Sequence, residues 1–203
     1  MKVIAAADMA PVPWKNGGGV TRELLRVEGG EAGDWHLRIS VADIDADGPF
    51  SPFPGVTRWF AVLEGAGVRL AWPGRVMDVR PGDDAIQFDG AQAPGCTLIA
   101  GSTRDLNVML RGDAGSAGVT RAAFGEPRQA ADVSGLFSLR PLRLQGPAGE
   151  TVEMPALALA WMTPGLDATG PWRIEPLDDA TRAEDHTRSL PAYWISFQAS
   201  DAP

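Results

Sequence analysis

Histidine is nearly missing from this 203-residue chain, which has only His36 and His186. No His-x-His pair or similar ligand spacing occurs, and imidazoles supply most transition-metal sites in small β-barrels. No metal and no other cofactor is therefore expected, and both histidines read as ordinary strand or loop residues. The single cysteine, Cys96, excludes an intrachain disulfide. Its setting in "GCTLIAG" reads as a small hydrophobe of a buried strand. Nor is there any run of Lys or Arg to offset a formal charge of −8 and a pI near 4.7. Such a surface repels phosphate backbones and anionic lipid, so neither nucleic acid nor membrane is an expected partner. A small anionic ligand would need a basic pocket of its own. The opening "MKVIAAADMAP" is too short and interrupted for a signal peptide, and no stretch reads as a membrane span, so the expected location is the cytoplasm.

Several catalytic devices are absent too. No G-x-S-x-G elbow is present, and any triad would have to recruit His36 or His186. In "WKNGGGVTRE" Lys15 precedes the glycines, whereas a phosphate loop has its lysine after them, and the residues beyond Gly19 read as a strand rather than a helix. No long amphipathic helix is evident anywhere.

What the chain does have is short alternating or apolar runs punctuated by 24 glycines and 17 prolines. With 44% hydrophobic residues it can bury a substantial core. Strands are expected at 20–27, 35–44, 59–65 and 67–72, the last two joined across a Gly-Ala-Gly turn. Two more fall within 75–90 around a Pro-Gly-Asp turn, and others at 96–101 and 104–111, before a glycine-rich break at 112–118. Beyond it the pattern resumes at 119–124, 136–146, 150–155, 157–163, 172–177 and 192–197, while polar 178–190 suits a loop or short helix. Two successive sets of strands predict an all-β protein of two related halves, in a sandwich or a pair of barrels.

Polar residues stand where strands would normally be plain. In 35–44, Trp35, Leu37, Ile39 and Val41 alternate with His36, Arg38, Ser40 and Ala42. In 104–111, Asp105, Asn107 and Met109 share one face, opposite Leu106, Val108 and Leu110. Asn is disfavoured inside strands, and an unpaired buried polar group costs roughly 1–3 kcal/mol. These groups must therefore satisfy one another, as in an Arg38–Asp105 pair, or meet a ligand. Glu23, Glu64 and Asp105 flank strand positions and are open to acid–base work, with Asp105 and Glu23 the candidates taken and a solvated strand-edge charge as the alternative for each.

"PWKNGGGVTREL" (13–24), "LRISVADIDADGPFSPFPGVTR" (37–58), "LEG" (63–65) and "RDLNVM" (104–109) together resemble the HutD/Ves family of bacterial bicupins. The motifs occur in the right order across 11–111, and Leu37 and Leu106 stand where that family often has tryptophan and phenylalanine. The resemblance implies two cupin-like β-barrels in one chain, 1–118 and 119–203, with exchange of terminal strands between them allowed. It also implies a non-metal binding protein linked to histidine utilisation, taking an intermediate such as formylglutamate or urocanate, with no established catalytic activity. Members of the Ves branch are associated instead with stress and cold.

On that reading Lys15 and Arg38 face carboxylates. Asn16, Thr21, Ser40 and Asn107 supply uncharged polar contacts, and Trp14, Phe50 and Met109 an apolar wall. Gly17–Gly19 either let backbone approach the ligand or simply form a turn. A metal-independent lyase, isomerase or hydrolase and a stress-related interaction protein remain the alternatives, and a homodimer stays open.

Overall fold

The structure, a computed structural model, describes residues 1–29, 34–162, 170–177 and 192–200. Its strands in chain order begin with β1 (Lys2–Ala5), β2 (Val12–Pro13), β3 (Gly19–Glu28), β4 (Trp35–Ile44), β5 (Gly48–Pro49) and β6 (Val56–Glu64). Next come β7 (Val68–Trp72), β8 (Arg75–Val79), β9 (Ile86–Asp89), β10 (Gly95–Leu98), β11 (Thr103–Arg111) and β12 (Gly115–Arg121). The remainder are β13 (Arg128–Gln129), β14 (Gly135–Ser138), β15 (Leu142–Gln145), β16 (Thr151–Met154), β17 (Ala158–Trp161), β18 (Pro171–Glu175) and β19 (Ala192–Ala199). Two single-turn 3-10 segments, Ala6–Asp8 and Ala130–Asp132, are the helical pieces among the described residues. None is long and apolar enough to cross a membrane.

The chain is all-β with a cupin-like double-sheet architecture, and it forms two compact units. One comprises residues 9–116 together with the segment from Gln198 onward; the other joins Met1–Asp8 to Ala117–Phe197. Neither unit is one continuous stretch of sequence. In the first, a six-stranded sheet, β2-β3-β4-β11-β6-β9, and a four-stranded sheet, β5-β10-β7-β8, supply a shared core. Ile44, Phe60 and Val62 from the larger sheet pack with Val68, Leu70, Val79 and Cys96 from the smaller. The other unit repeats the scheme with sheets β1-β17-β14-β19-β12 and β13-β18-β15-β16 around Leu136, Leu142, Leu144, Met154, Trp172 and Trp194.

Most strand expectations hold, although β1 and the first three residues of β6 are not among them, and three further departures have physical reasons. The run 136–146 divides into β14 and β15 at Pro141, which has no N–H for a ladder, and Ser138 Oγ closes the corner by donating to the Arg140 carbonyl at 2.6 Å. Strand β12 starts at Gly115, inside the glycine-rich stretch read as a break. Two-residue strands such as β2 and β5 are too short to carry any periodic signal. The segment 178–190, with His186, lies outside the described residues.

The six-stranded sheet is apolar on one face and mixed on the other. Leu37, Ile39, Val41, Leu106 and Val108 are all buried on the first, so Leu37 and Leu106 are ordinary core residues. Strand β11 lies between β4 and β6, and its register sets Asn107 opposite Ser40 and Phe60, and Met109 opposite Arg38 and Arg58. Trp35 departs from the simple alternation: it packs with Val56, Met109 and Phe53, residues of the mixed face and its rim.

The turn entering β3 separates two kinds of glycine. Gly17 has φ +71° with open space around its Cα, whereas a Cβ on Gly19 would lie 2.2 Å from the Asp43 carbonyl oxygen. Gly17→Ala is expected to cost about 1 kcal/mol, the left-handed penalty alone. Gly19→Ala must displace the β3–β4 pairing and should cost at least roughly twice as much, within the range of overpacked sites. Urea denaturation of the two variants checks the order; equal midpoints would refute it.

Candidate functional site

The mixed face of the six-stranded sheet carries one buried chain of polar side chains. Arg58, Asp105 and Asn107 retain 4%, 1% and 8% of their surface. Arg58 Nη2 donates to Asn107 Oδ1 at 2.7 Å, and Asn107 Nδ2 donates in turn to Asp105 Oδ1. Arg58 meets Asp105 through this amide. The direction of the chain is fixed at its source: a guanidinium can only donate, so Asn107 must turn its oxygen to Arg58 and its NH2 to Asp105.

Phenylalanines enclose the cation. The Arg58 Cζ lies 5.0 Å from the Phe50 ring centroid, 5.2 Å from that of Phe88 and 5.7 Å from that of Phe53. Each contact is in the range where a ring quadrupole attracts a cation. Phe50 also packs at 5.4 Å against Phe60, which sits opposite Asn107. Rings cannot accept strong hydrogen bonds, however. Arg58 Nε and Nη1 and Asp105 Oδ2 are buried and have no hydrogen-bond partner. Each of these three buried polar atoms is left without a protein partner, which is rare for buried polar groups.

The protonation states follow from burial. Desolvation pushes Arg58 down to about 10, against the pull of Asp105, so it stays charged at neutral pH. Desolvation pushes Asp105 up to about 8, with repulsion from Asp43 adding to it and attraction from Arg58 opposing it. At neutral pH Asp105 is mostly the neutral acid. Cys96 is raised to about 12 by burial first and then by Asp105 and Asp47, which leaves an unreactive thiol.

The residues expected from sequence occupy different settings. Asn107 and Asp105 are central to the buried chain, and Phe50 is part of its aromatic wall. Ser40 is buried beside Asn107 in register, and Met109 packs toward Trp35. Arg38 does not pair with Asp105: its Nε donates to Glu23 Oε2 at 2.8 Å. The cause is register, because Glu23 lies opposite Ser40 just before a bulge, within reach of Arg38. Glu23 also receives both Arg26 contacts, at 2.9 and 3.0 Å. Its burial alone would raise its pKa, but these hydrogen bonds and charges outweigh that and hold it below the usual carboxylate range. Glu23 is thus a fixed anion, poorly suited to shuttling protons.

Trp14 Nε1 donates to Thr21 Oγ1 at 2.8 Å, and the indole packs on the cluster containing Phe50, Phe60 and Phe88. Asn16 Oδ1 accepts from the Gly18 N–H at 3.0 Å, closing its own turn, while the Gly18 carbonyl accepts from Asp45 N–H at 2.9 Å. Lys15 is exposed on that turn. His36 is half-buried, and among the described residues no group of three or more His, Cys, Asp or Glu could hold a metal.

Arg58 is the residue that sequence reading passed over. The expected strand begins at Trp59, three residues after β6 does, which leaves Arg58 in a loop. Extended back to Val56, the alternation Val56, Arg58, Phe60, Val62 puts a guanidinium on a wholly apolar stripe, and that was the available signal.

The HutD family model matches residues 6–166. A 21.2 kDa protein named for the hutC 3′ region of Pseudomonas putida is 38% identical over 109 residues, 54% of this chain and 57% of that protein. Protein Ves of Citrobacter koseri is 37% identical over 101 residues, 49% of this chain and 52% of the relative. The chain thus spans about half the length of the curated relatives it matches. Among solved structures, HutD from Pseudomonas fluorescens SBW25 superposes with a TM-score of 0.77 at 24% identity, covering 98% of this chain and 99% of that one. Oxalate decarboxylase OxdC from Bacillus subtilis shares the fold at a TM-score of 0.62 and 11% identity, covering 100% of this chain and 78% of that one. With the family model running through both units, the chain belongs to the HutD family.

Proposed function

We propose that this protein binds a small carboxylate metabolite at the Arg58–Asn107–Asp105 chain, as a non-catalytic binding protein of histidine utilisation. The observation that carries the reading is the pair of buried Arg58 donors, Nε and Nη1, that no acceptor meets. An anionic oxygen is the natural acceptor for a desolvated guanidinium, and the surrounding phenylalanines exclude water that would otherwise compete. Formylglutamate and urocanate both present a carboxylate plus an apolar or amide portion. The hutC-region relative and the HutD fold neighbour support the pathway.

Lys15 and Asn16 act on this reading as the outer rim, with Trp14 tying their turn to the phenylalanine cluster. Lys15 contributes a screened charge and Arg58 the desolvated contact, so their effects should differ in size. A second reading has one specific observation behind it: a buried carboxyl pushed up to about 8 by desolvation, as Asp105 is, is a common feature of acid–base catalysts. Turnover of a histidine-pathway intermediate by the purified protein, lost in Asp105→Asn, would favour that reading.

Calorimetry with formylglutamate and urocanate tests the main proposal. One of them should bind, Arg58→Lys should weaken it about 10- to 100-fold, the range for a hydrogen bond to a charged group, and Lys15→Ala by less than about fivefold. Absence of heat with both compounds from folded protein would overturn the pathway assignment. Equal loss in the two variants would instead move the site outward to the turn.

A further inference from the structure

The direction of the buried hydrogen-bond chain fixes where a proton on Asp105 resides. Asn107 Nδ2 donates to Asp105 Oδ1, so Oδ1 is committed as an acceptor and Oδ2 is the oxygen left to carry a proton. Oδ2 is buried with no partner, as are Arg58 Nε and Nη1 two links away. With Asp105 protonated, all three orphaned atoms are donors, and an acceptor is what each of them lacks. With Asp105 ionised, Oδ2 becomes a buried anionic oxygen competing with the ligand for the Arg58 charge.

We propose that Asp105 is the site's proton-carrying group: as a carboxylic acid it donates from Oδ2 to the anion held by Arg58, so binding takes up a proton whenever Asp105 starts ionised, and weakens in alkaline solution. The proposal rests on the reading of Arg58 as an anion site and adds its regulation. The balance is simple: solvent supplies one proton to the Asp105 carboxylate, and no covalent bond to the ligand forms.

The groups acting on Asp105 favour the acid form. Burial is foremost, Asp43 of β4 repels the carboxylate, and Arg58 of β6 attracts it; together they place it near 8. Cys96 of β10 interacts with it electrostatically as an un-ionised thiol, raised first by burial and then by Asp105 and Asp47. Arg38 of β4 acts on Arg58 and is neutralised locally by Glu23 of β3. A bound anion adds a further negative charge beside Arg58 and so drives the Asp105 pKa higher still.

Calorimetric titration with formate and with N-formyl-L-glutamate from pH 6 to 9.5, in Tris and HEPES where they overlap, tests the linkage. The association constant should be flat below about pH 7 and fall toward tenfold per pH unit above about 9, the slope of one linked proton. Near pH 8.5 the heat should differ between buffers, reporting proton uptake. Asp105→Asn keeps a neutral donor, so it should bind with neither pH slope nor buffer dependence. A pH-independent wild-type affinity, or a wild-type slope persisting in Asp105→Asn, overturns this proposal and leaves the anion site standing. Formate binding with the expected slope while N-formyl-L-glutamate fails to bind supports the proposal and sinks that ligand assignment alone. No binding of either at any pH overturns both.

Thermal unfolding gives an arm that needs no ligand. Because the folded pKa lies above the unfolded value near 4, stability is full below that value and is lost as pH rises toward 8, where the loss levels off. Asp105→Asn should therefore match wild type near pH 4 and melt roughly 5 °C or more higher at pH 9. Parallel stability curves would show an ordinary carboxylate and overturn the proposal.

Discussion

A guanidinium removed from water needs its charge answered by other means, and much of the first unit is arranged around that need. Arg58 cannot give up its proton at neutral pH, so the surrounding groups have to accommodate it. One nitrogen is met by Asn107, the flat faces by phenylalanine rings, and the nearest carboxyl is reached only through an amide. The interposed Asn107 matters because a direct Arg–Asp pair would have neutralised both partners. Separated by one amide, the two groups interact without cancelling, and the cation keeps donors to spare.

Carboxylates in the same sheet show how environment divides one chemistry into several roles. Asp43 is also part-buried, and burial alone would raise it. Yet hydrogen bonds from Arg104 at 2.6 Å and Arg22 at 2.7 Å hold it ionised, and Arg104 continues the ladder to Glu64. Glu23 is held the same way by Arg26 and Arg38. Asp105 receives an amide where these receive guanidinium groups, and it sits at the other end of the scale. On the proposed reading, it is this separation of neighbouring carboxyls that sets Asp105 apart from the structural ones. The net charge of −8 adds a long-range repulsion for any anion approaching, so on the proposed reading specificity rests on short-range contacts inside the sheet.

Much of this was legible in the sequence because alternation reports burial directly. Asp105 and Asn107 stood out on β11 as polar residues on a strand whose other face was plainly apolar, and the structure keeps them there. Their partner was misjudged, since pairing depends on register between distant strands, and the bulge after Glu23 that gives Arg38 another partner has no signature in composition. Arg58 was hidden by a boundary: three residues of error at the start of β6 turned a buried cation into a loop residue. Phe53 and Phe88 belong to a turn and a short strand, where no periodicity exists to reveal them as walls around a charge.

The division of the chain also has a consequence for biosynthesis. Gln198 onward belongs with residues 9–116, and the Ser200 N–H donates to the Ala114 carbonyl at 2.9 Å, beside the start of β12. On the ribosome, the strands that carry Arg58, Asp105 and Asn107 emerge early, yet this closing segment is translated only after the whole of 117–197. The nascent first unit must therefore wait with an open margin while the second is made. Strands β4, β6 and β11, buried along most of their length, are the part most in need of shielding during that interval.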